Sequence, residues 1–387
     1  MKNTGRKFAA SLALLLAALT LTGCYSEKNS WAARKGDLTL PIGGYIYYLS
    51  SAAGSARAEV PTGQDVLKSE IDGESADAWI RSHVEDSVKN FFYVNEKFDE
   101  MGLTLSDDDR TMIETNTNSM WGSYGSGLES SGISKETFNL IFSTYSVKQS
   151  RIFDALYGPD GEKGVTDDEL SAYYTDNYYS YEYFTVTVPT KPVENNDDTS
   201  STVVPATEVD EEAKAKLRKQ LDDYSRKIKN GDMTVSEAAG DYASANGLEN
   251  STYIPYTGKI SDAYGAVAEA MLSAKDDDIV IVESTTASLV LAHKKPIQNE
   301  TSGMLGSESS RESVLSDMKW SEFIDGIRAE ADKTEGIEYN ETAINAHKPS
   351  DFLSGDNKKG SKTVESEVST ASEASEVSSE SSAGSDE

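Results

Sequence analysis

The chain has 387 residues, with 66 acidic side chains against 36 basic ones and a formal net charge of −30 at pH 7. A chain this acidic repels phosphate backbones and anionic lipid headgroups, so we expect no nucleic-acid partner and no electrostatic membrane contact. Its only cysteine is Cys24, which excludes an intramolecular disulfide and a thiolate-rich metal site.

The beginning of the chain has the layout of a secretory signal, with three cations before an apolar run over 8–21. As a helix, that run would span only about 21 Å, short of the ~30 Å hydrocarbon core of a bilayer, so it does not predict a transmembrane anchor. The segment 21–24, Leu-Thr-Gly-Cys, resembles the lipobox of bacterial lipoproteins. That resemblance implies a signal peptide over 1–23, a lipidated Cys24 and a tether over 24–37.

The next segment, 38–178, has the periodicity of helices. Apolar residues at three- and four-residue steps predict a helix over 78–101. Further helices are predicted to begin at capping residues Ser106, Ser134 and Thr166. The glycines expected to end the helix that begins at Ser106 are Gly122, Gly125 and Gly127. Together these elements predict a small helical domain.

The spacing of apolar residues changes after residue 178, from that of helices to that of strands. Residues 181–188 are rich in aromatic and β-branched side chains and predict a strand. A short strand over 252–256 and a hairpin of 279–282 with 287–293 are also expected. Three helices are predicted between these strands. One ends at Gly231, one begins with a capping box of Thr234 and Glu237, and one spans 266–273.

Two polar segments lack an apolar face that could offset the entropy of ordering. They predict a disordered surface loop over 190–210 and a disordered tail rich in serine and glutamate over 346–387. Between the sheet segment and the tail, an apolar stripe from Val314 to Ile327 predicts a long helix within 299–345. This helix has no sheet partner of its own, so we expect it to pack on the N-terminal helical domain.

Four motifs, taken in their order along the chain, resemble the PrsA/SurA-type extracytoplasmic foldases, which are parvulin-like peptidyl-prolyl isomerase lipoproteins. The motifs lie at 42–49, 164–174, 231–243 and 320–340. The resemblance implies an α+β fold. Its SurA-like helical chaperone domain would combine 38–178 with the returning helix of 299–345, and a parvulin-like antiparallel sheet domain over 179–298 would be inserted between them.

The sequence departs from this family where the family's chemistry lies. Active parvulins carry one histidine on the first strand of the sheet domain and another on the last. Here 181–188 contains no histidine, the family's last-strand position falls at 287–289, and His293 lies beyond it. The resemblance therefore implies a degenerate domain, in which we expect no catalytic residue and no efficient prolyl isomerisation.

These features predict a lipid-anchored protein on the extracytoplasmic face of the cell membrane that binds unfolded or nascent secreted polypeptides. An active peptidyl-prolyl cis-trans isomerase and a solute-binding lipoprotein of a transporter remain alternatives. The residues predicted to contact a bound polypeptide are Tyr173, Tyr174, Tyr178, Tyr181, Tyr183 and Phe184. Packing at the domain junction is the alternative role for these rings.

No cofactor or metal is expected. The acidic runs at 107–109 and 276–278 lack the alternating spacing of a calcium loop. Three scattered histidines do not form a zinc motif.

Overall fold

The computed structural model of the chain describes residues 30–192 and 207–353. The predicted signal peptide, Cys24 and residues 354–387 of the predicted tail lie outside these ranges. The described residues belong to two compact units. Unit 1 contains 30–163 and 320–353, and unit 2 contains 164–192 and 207–319.

Unit 1 begins with strands and continues with helices. Its elements up to residue 157 are β1 (Trp31–Lys35), β2 (Leu38–Pro41), α1 (Ile42–Glu59), β3 (Glu70–Ile71), β4 (Glu74–Ser75), α2 (Ala76–Glu100), α3 (Asp107–Ser130), α4 (Lys135–Phe138), a π-helical turn (Asn139–Thr144) and α5 (Tyr145–Tyr157). The predicted helix over 78–101 is confirmed as α2, which begins two residues earlier because the Ser75 side chain accepts a hydrogen bond from the Ala78 amide. Its apolar stripe, including Phe91 and Phe92, is fully buried in the core of unit 1.

The prediction that three glycines end the helix at Ser106 is wrong, because α3 continues through them to Ser130. Gly125 lies beneath the indole of Trp121, where an added Cβ would sit 2.7 Å from Trp121 Nε1. The missing side chain at this position therefore lets the ring pack closely on the helix. The chain turns only after the helix, at Gly132, whose φ of +87° belongs to the left-handed region.

Unit 2 consists of helices, a four-stranded sheet and a two-stranded ribbon. Its elements are α6 (Asp167–Asn177), β5 (Tyr178–Thr187), β6 (Thr190–Pro192), β7 (Thr207–Val209), α7 (Glu211–Lys229), α8 (Val235–Ala245), β8 (Ile254–Lys259), α9 (Ala266–Ser273), β9 (Ile279–Thr285), β10 (Ser288–Lys295), α10 (Thr301–Gly306) and α11 (Glu308–Ala331). Helix α11 belongs to unit 2 up to Lys319, and the rest of it belongs to unit 1. The predicted strands, the hairpin and the helix over 266–273 are confirmed.

The sheet has four antiparallel strands in the order β8-β5-β10-β9. Helices α7 and α8 bury one of its faces through a core that contains Phe184, Leu221 and Leu291. Helix α9 covers part of the other face, where Met271 is fully buried. Helical and antiparallel-sheet parts therefore coexist in one chain, and the predicted α+β class is confirmed.

The last elements of unit 1 follow α11. They are β11 (Glu338–Tyr339), α12 (Glu341–Ile344) and α13 (Ser350–Leu353). From Trp320 onwards α11 packs within unit 1, where the ring of Phe323 lies 5.4 Å from that of Phe153. Strand β11 pairs with β1, so a three-stranded sheet of order β11-β1-β2 joins the two ends of the unit.

Several predicted boundaries are wrong. The predicted tether, 24–37, includes strand β1, and residues 346–353 of the predicted tail include α13. The ends of the predicted loop over 190–210 pair as the ribbon β6-β7. Unit 2 also extends beyond 179–298, since α6 and the first part of α11 hold one another through Arg311 and Asp167, 3.1 Å apart.

Candidate functional site

Successive side chains of strand β5 point to opposite faces of the sheet, so the residues of the candidate site are divided between the two faces. Tyr179 and Tyr181 belong to the core on the α9 face, and Tyr183 packs against it. Phe184 and Val186 belong to the core on the face of α7 and α8. One strand therefore supplies an aromatic row to one surface and apolar core residues to the other.

The α9 face carries a tyrosine cluster, formed by Tyr179, Tyr181 and Tyr183 of β5 and Tyr256 of β8. The ring of Tyr181 lies 5.7 Å from that of Tyr179, 5.5 Å from that of Tyr183 and 4.9 Å from that of Tyr256. Burial raises the pKa of Tyr179 to about 12 and also raises that of Tyr181, so both hydroxyls are neutral at physiological pH. The cluster is thus uncharged. Tyr179 and Tyr181 are buried, so its exposed aromatic area comes from Tyr256 and from the half-buried Tyr183.

Tyr256 lies along its own strand, over Gly258. A Cβ at Gly258 would sit 2.4 Å from the Tyr256 hydroxyl, so only glycine lets the ring take this position without a shift. The ring thereby covers Tyr181 of the neighbouring strand rather than extending into solvent. Even so, the Tyr256 residue is 37 % exposed.

Exposed apolar residues concentrate beside this cluster. In the part of the chain that the structure describes, seven large hydrophobic residues are exposed, and five of them lie between 254 and 272. These five are Ile254 (45 %), Tyr256, Ile260, Tyr264 (96 %) and Leu272. Ile254 and Tyr256 lie on β8, Ile260 and Tyr264 in the segment after it, and Leu272 on α9. Single exposed apolar residues are common, but several within one short stretch of chain are typical of an interaction surface.

The opposite face of the same edge carries a polar pocket of about 270 Å³. The pocket is lined by Ser180, Tyr181, Glu182, Tyr253, Pro255, Tyr256, Thr257, Lys295 and Glu300. The Tyr253 hydroxyl donates to Glu182 Oε2 at 2.9 Å, and Lys295 Nζ lies 3.7 Å from Glu182 Oε1. Glu182 is therefore the centre of a charged network at the pocket.

His293, opposite Glu182 on strand β10, belongs to this network rather than to the tyrosine cluster. Its Nδ1 lies 3.0 Å from Glu182 Oε1, and because an ionised carboxylate only accepts, Nδ1 carries the proton. The hydrogen bond from His293 is the largest cause that lowers the pKa of Glu182. Burial opposes this effect, and Tyr253 and Lys295 add to it.

Replacing Glu182 with alanine is expected to lower the free energy of unfolding of unit 2 by about 1–3 kcal/mol, because Tyr253 and His293 lose an ionised acceptor in a partly buried site. Glu182→Gln keeps an acceptor oxygen and should lose less. Thermal unfolding of the purified chain and both variants measures the difference. Equal stability of all three proteins would contradict the expectation.

The predicted polypeptide-contacting residues do not form one surface. Phe184 is fully buried in the core beneath α7 and α8, so its predicted contact with a bound chain is wrong for this conformation. Tyr174 is buried and packs on Tyr178, at 4.8 Å between ring centroids. Tyr178 donates a hydrogen bond to the carboxylate of Asp317, and Tyr173 donates to the Asp317 carbonyl oxygen at 3.1 Å. Tyr173 and Tyr178 therefore hold α11 within unit 2, and Tyr174 packs against Tyr178.

Tyr181 is also buried, under Tyr256, so its predicted contact with a bound chain is wrong, whereas Tyr183 is half-buried in the tyrosine cluster. Cys24 lies outside the described residues. Two exposed residues were not predicted from the sequence: Tyr256, which belongs to the cluster, and Ile254, which lies opposite Tyr183. Both lie on a short strand that contains Pro255, and a proline within a strand indicates an edge position. That signal could have shown that β8 is an edge strand, although it could not have shown which face is exposed.

Within 30–192 and 207–353, no group of three or more metal-binding side chains comes together. None of the helices in those ranges is long and apolar enough to cross a membrane.

No family model matches the chain, and a search of curated proteins gave no match. Among solved structures, the chain is similar to three foldase proteins named PrsA. That from Lactococcus lactis is 12% identical, with 84% of this chain and 98% of that chain covered and a TM-score of 0.35. That from Streptococcus pneumoniae is 14% identical (68% and 91% covered, TM-score 0.30), and that from Bacillus subtilis is 11% identical (71% and 94% covered, TM-score 0.29).

Proposed function

We propose that this chain is a lipid-anchored, foldase-like chaperone that holds unfolded secreted polypeptides on the extracytoplasmic side of the membrane. The observation that carries the proposal is the exposed apolar run between 254 and 272 beside the tyrosine cluster. Large aromatic and aliphatic surface of this kind binds apolar segments of many sequences without chemistry. The anchor is supported by the Leu-Thr-Gly-Cys order at 21–24.

We further propose that prolyl isomerisation is inefficient. On the α9 face, strand β5 presents Tyr181 and Tyr183, and strand β10 presents Val290 and Ala292. His293 has its imidazole at Glu182, on the opposite face of the sheet. The face that carries the tyrosine cluster therefore has no imidazole of this strand beside it to assist rotation about a prolyl bond.

The structure gives no support to the alternative of a solute-binding lipoprotein. That class is built from alternating strand–helix units in two lobes, which produce parallel sheets. All strand pairs in the described residues are antiparallel.

The experiment that tests the proposed function measures aggregation of a chemically unfolded secreted protein by light scattering. The mature chain, from residue 24 onwards with Cys24 replaced by serine, is expected to suppress aggregation at stoichiometric ratios. The double variant Ile254→Ser with Tyr256→Ser should lose most of this effect, because it removes apolar area at the centre of the surface. Met112→Ser, at an exposed methionine of unit 1, is the matched control and should retain it.

Two outcomes would overturn the proposal. One is absence of suppression at a molar excess of the chain, and the other is equal suppression by the double variant. A protease-coupled assay on a proline-containing peptide addresses catalysis, and we expect a rate close to that of the uncatalysed reaction, which takes tens of seconds or longer. A rate far above that of buffer would favour the active isomerase.

A further inference from the structure

Strand β8 is the outermost strand of the sheet, because among the described residues it pairs only with β5. An edge strand presents unpaired amide and carbonyl groups to its outer side. Pro255 lies within β8, and a proline in an edge strand turns its nitrogen towards solvent. Thr257, two residues further on, has the same orientation, so its N–H and C=O also point away from β5.

The two faces beside this edge have different chemistry. On the α9 face, Ile254 and Tyr256 are exposed and continue the tyrosine cluster. On the other face lies the polar pocket, where the carboxylates of Glu182 and Glu300 outnumber the one cation of the lining, Lys295, so the pocket carries a net negative charge. A polypeptide strand placed against β8 would point alternate side chains to these two faces.

From this arrangement we propose that β8 binds its client by strand addition, and that the client is an extended segment in which apolar and basic residues alternate. The proposal rests on the proposed function, for which it names the substrate class and the mode of binding. Main-chain hydrogen bonds to the outer edge of β8 supply affinity that does not depend on sequence, and the two faces supply the preference.

Charge complementarity decides between a basic and an acidic client. Glu182 lies on β5, the second strand from the edge, about 10 Å from an added strand at the usual spacing of neighbouring strands. A lysine or arginine side chain can reach across that distance, with its apolar stem lying over Pro255. The formal charge of −30 on the whole chain also favours a cationic segment over an anionic one.

Pro255 limits how long the added strand can be. Its missing N–H removes one donor from the outer edge, so the main-chain contacts concentrate towards Thr257. Proline on an edge strand also opposes continuous pairing between two copies of the same sheet. The edge is thus suited to a short client segment rather than to self-association.

The test measures binding of short fluorescent peptides to the mature chain with Cys24→Ser, by fluorescence anisotropy. The probe alternates isoleucine with lysine, and four matched peptides of three types accompany it. One has the same composition in two blocks, one carries glutamate in place of lysine, and the third type is N-methylated at alternate amides, prepared in both phases. N-methylation removes a donor but leaves the side chains unchanged.

The alternating peptide is expected to bind. The block and glutamate peptides should bind at least about tenfold more weakly. One phase of N-methylation should weaken binding about tenfold or more, whereas the other phase, whose amides face solvent, should be tolerated. In the protein, Thr257→Pro should weaken binding of the alternating peptide about tenfold or more, because it removes the Thr257 N–H that would donate to a carbonyl of the client. Thr257→Ala, which loses the hydroxyl but keeps the N–H, is its control.

Each contrary result has a distinct meaning. If the alternating peptide does not bind, or if both N-methylated phases bind alike, strand addition is overturned. Suppression of aggregation could still be present in that case, and the proposed function would stand without this mode of binding. If instead the chain is dimeric and Thr257→Pro makes it monomeric, a second copy of this chain occupies β8 and the client assignment is wrong.

Discussion

Replacing Phe184 with alanine is expected to destabilise unit 2 by about 3–5 kcal/mol. Phe184 is fully buried between the sheet and helices α7 and α8, with its ring 6.2 Å from that of Tyr224 and 6.3 Å from that of Tyr242. Alanine would leave a cavity among these rings, which cannot all close over it. Amide hydrogen exchange in peptides from β5 and β10 measures the loss.

Phe184→Leu is the control for this prediction, because it keeps most of the volume and should cost less than about 1.5 kcal/mol. The result separates two roles for the residue. If Phe184→Ala kept the stability of unit 2 but lost suppression of aggregation, the role predicted from the sequence, direct contact with a client, would be restored.

Replacing Asp109 with alanine is expected to lower the free energy of unfolding of unit 1 by about 2–4 kcal/mol, as a lost helix cap and a lost charged hydrogen bond add together. Asp109 is almost fully buried and accepts from the Ser106 amide at 2.8 Å and the Ser106 hydroxyl at 2.9 Å. Its other oxygen accepts from Arg151 Nε at 2.8 Å. One carboxylate therefore caps the N-terminus of α3 and connects it to α5.

The effect of this substitution should depend on pH. Burial raises the pKa of Asp109, but the hydrogen bonds from Arg151 and Ser106 outweigh it and hold the pKa below its usual value. A carboxyl whose pKa is lowered in the folded protein stabilises the fold at pH values above its pKa in the unfolded chain, about 3.9. This stabilisation is lost as the pH falls from there through the pKa of the folded protein. The difference between wild type and Asp109→Ala should therefore shrink in acid.

Urea unfolding followed by tryptophan fluorescence measures this difference in unit 1 specifically. All four tryptophans, Trp31, Trp79, Trp121 and Trp320, lie in that unit. Asp108→Ala, at an exposed neighbour in the same helical turn, is the control and should change stability by no more than about 0.5 kcal/mol. A difference between wild type and Asp109→Ala that stays constant down to pH 3 would contradict the assignment.

Local signals in the sequence predicted much of the fold. Ser106 with Asp109, Thr166 with Glu169, and Thr234 with Glu237 each begin a helix with both hydrogen bonds of a capping box in place. Such boxes can be recognised because donor and acceptor lie three residues apart. The strand of β5 was recognised from its run of aromatic and β-branched residues in the same way.

What the sequence could not predict depends on partners far along the chain. Ala32 and Ala33 are fully buried because β1 pairs with β11, which no local pattern around 24–37 indicates. For the candidate site, six aromatic residues close in sequence were expected to share one surface. Alternation along β5 and the contacts of Asp317 distribute them among a buried core, a helix contact and the tyrosine cluster.

The pairing of β1 with β11 also sets the order in which the newly made chain can fold. Residues 31–35 leave the ribosome early, but their partners at 338–339 follow only after about 300 further residues, a delay of roughly 15–60 s at common rates of translation. All of unit 2 is synthesised within that interval and can fold first. The three-stranded sheet of unit 1 can therefore close only after unit 2 has been synthesised.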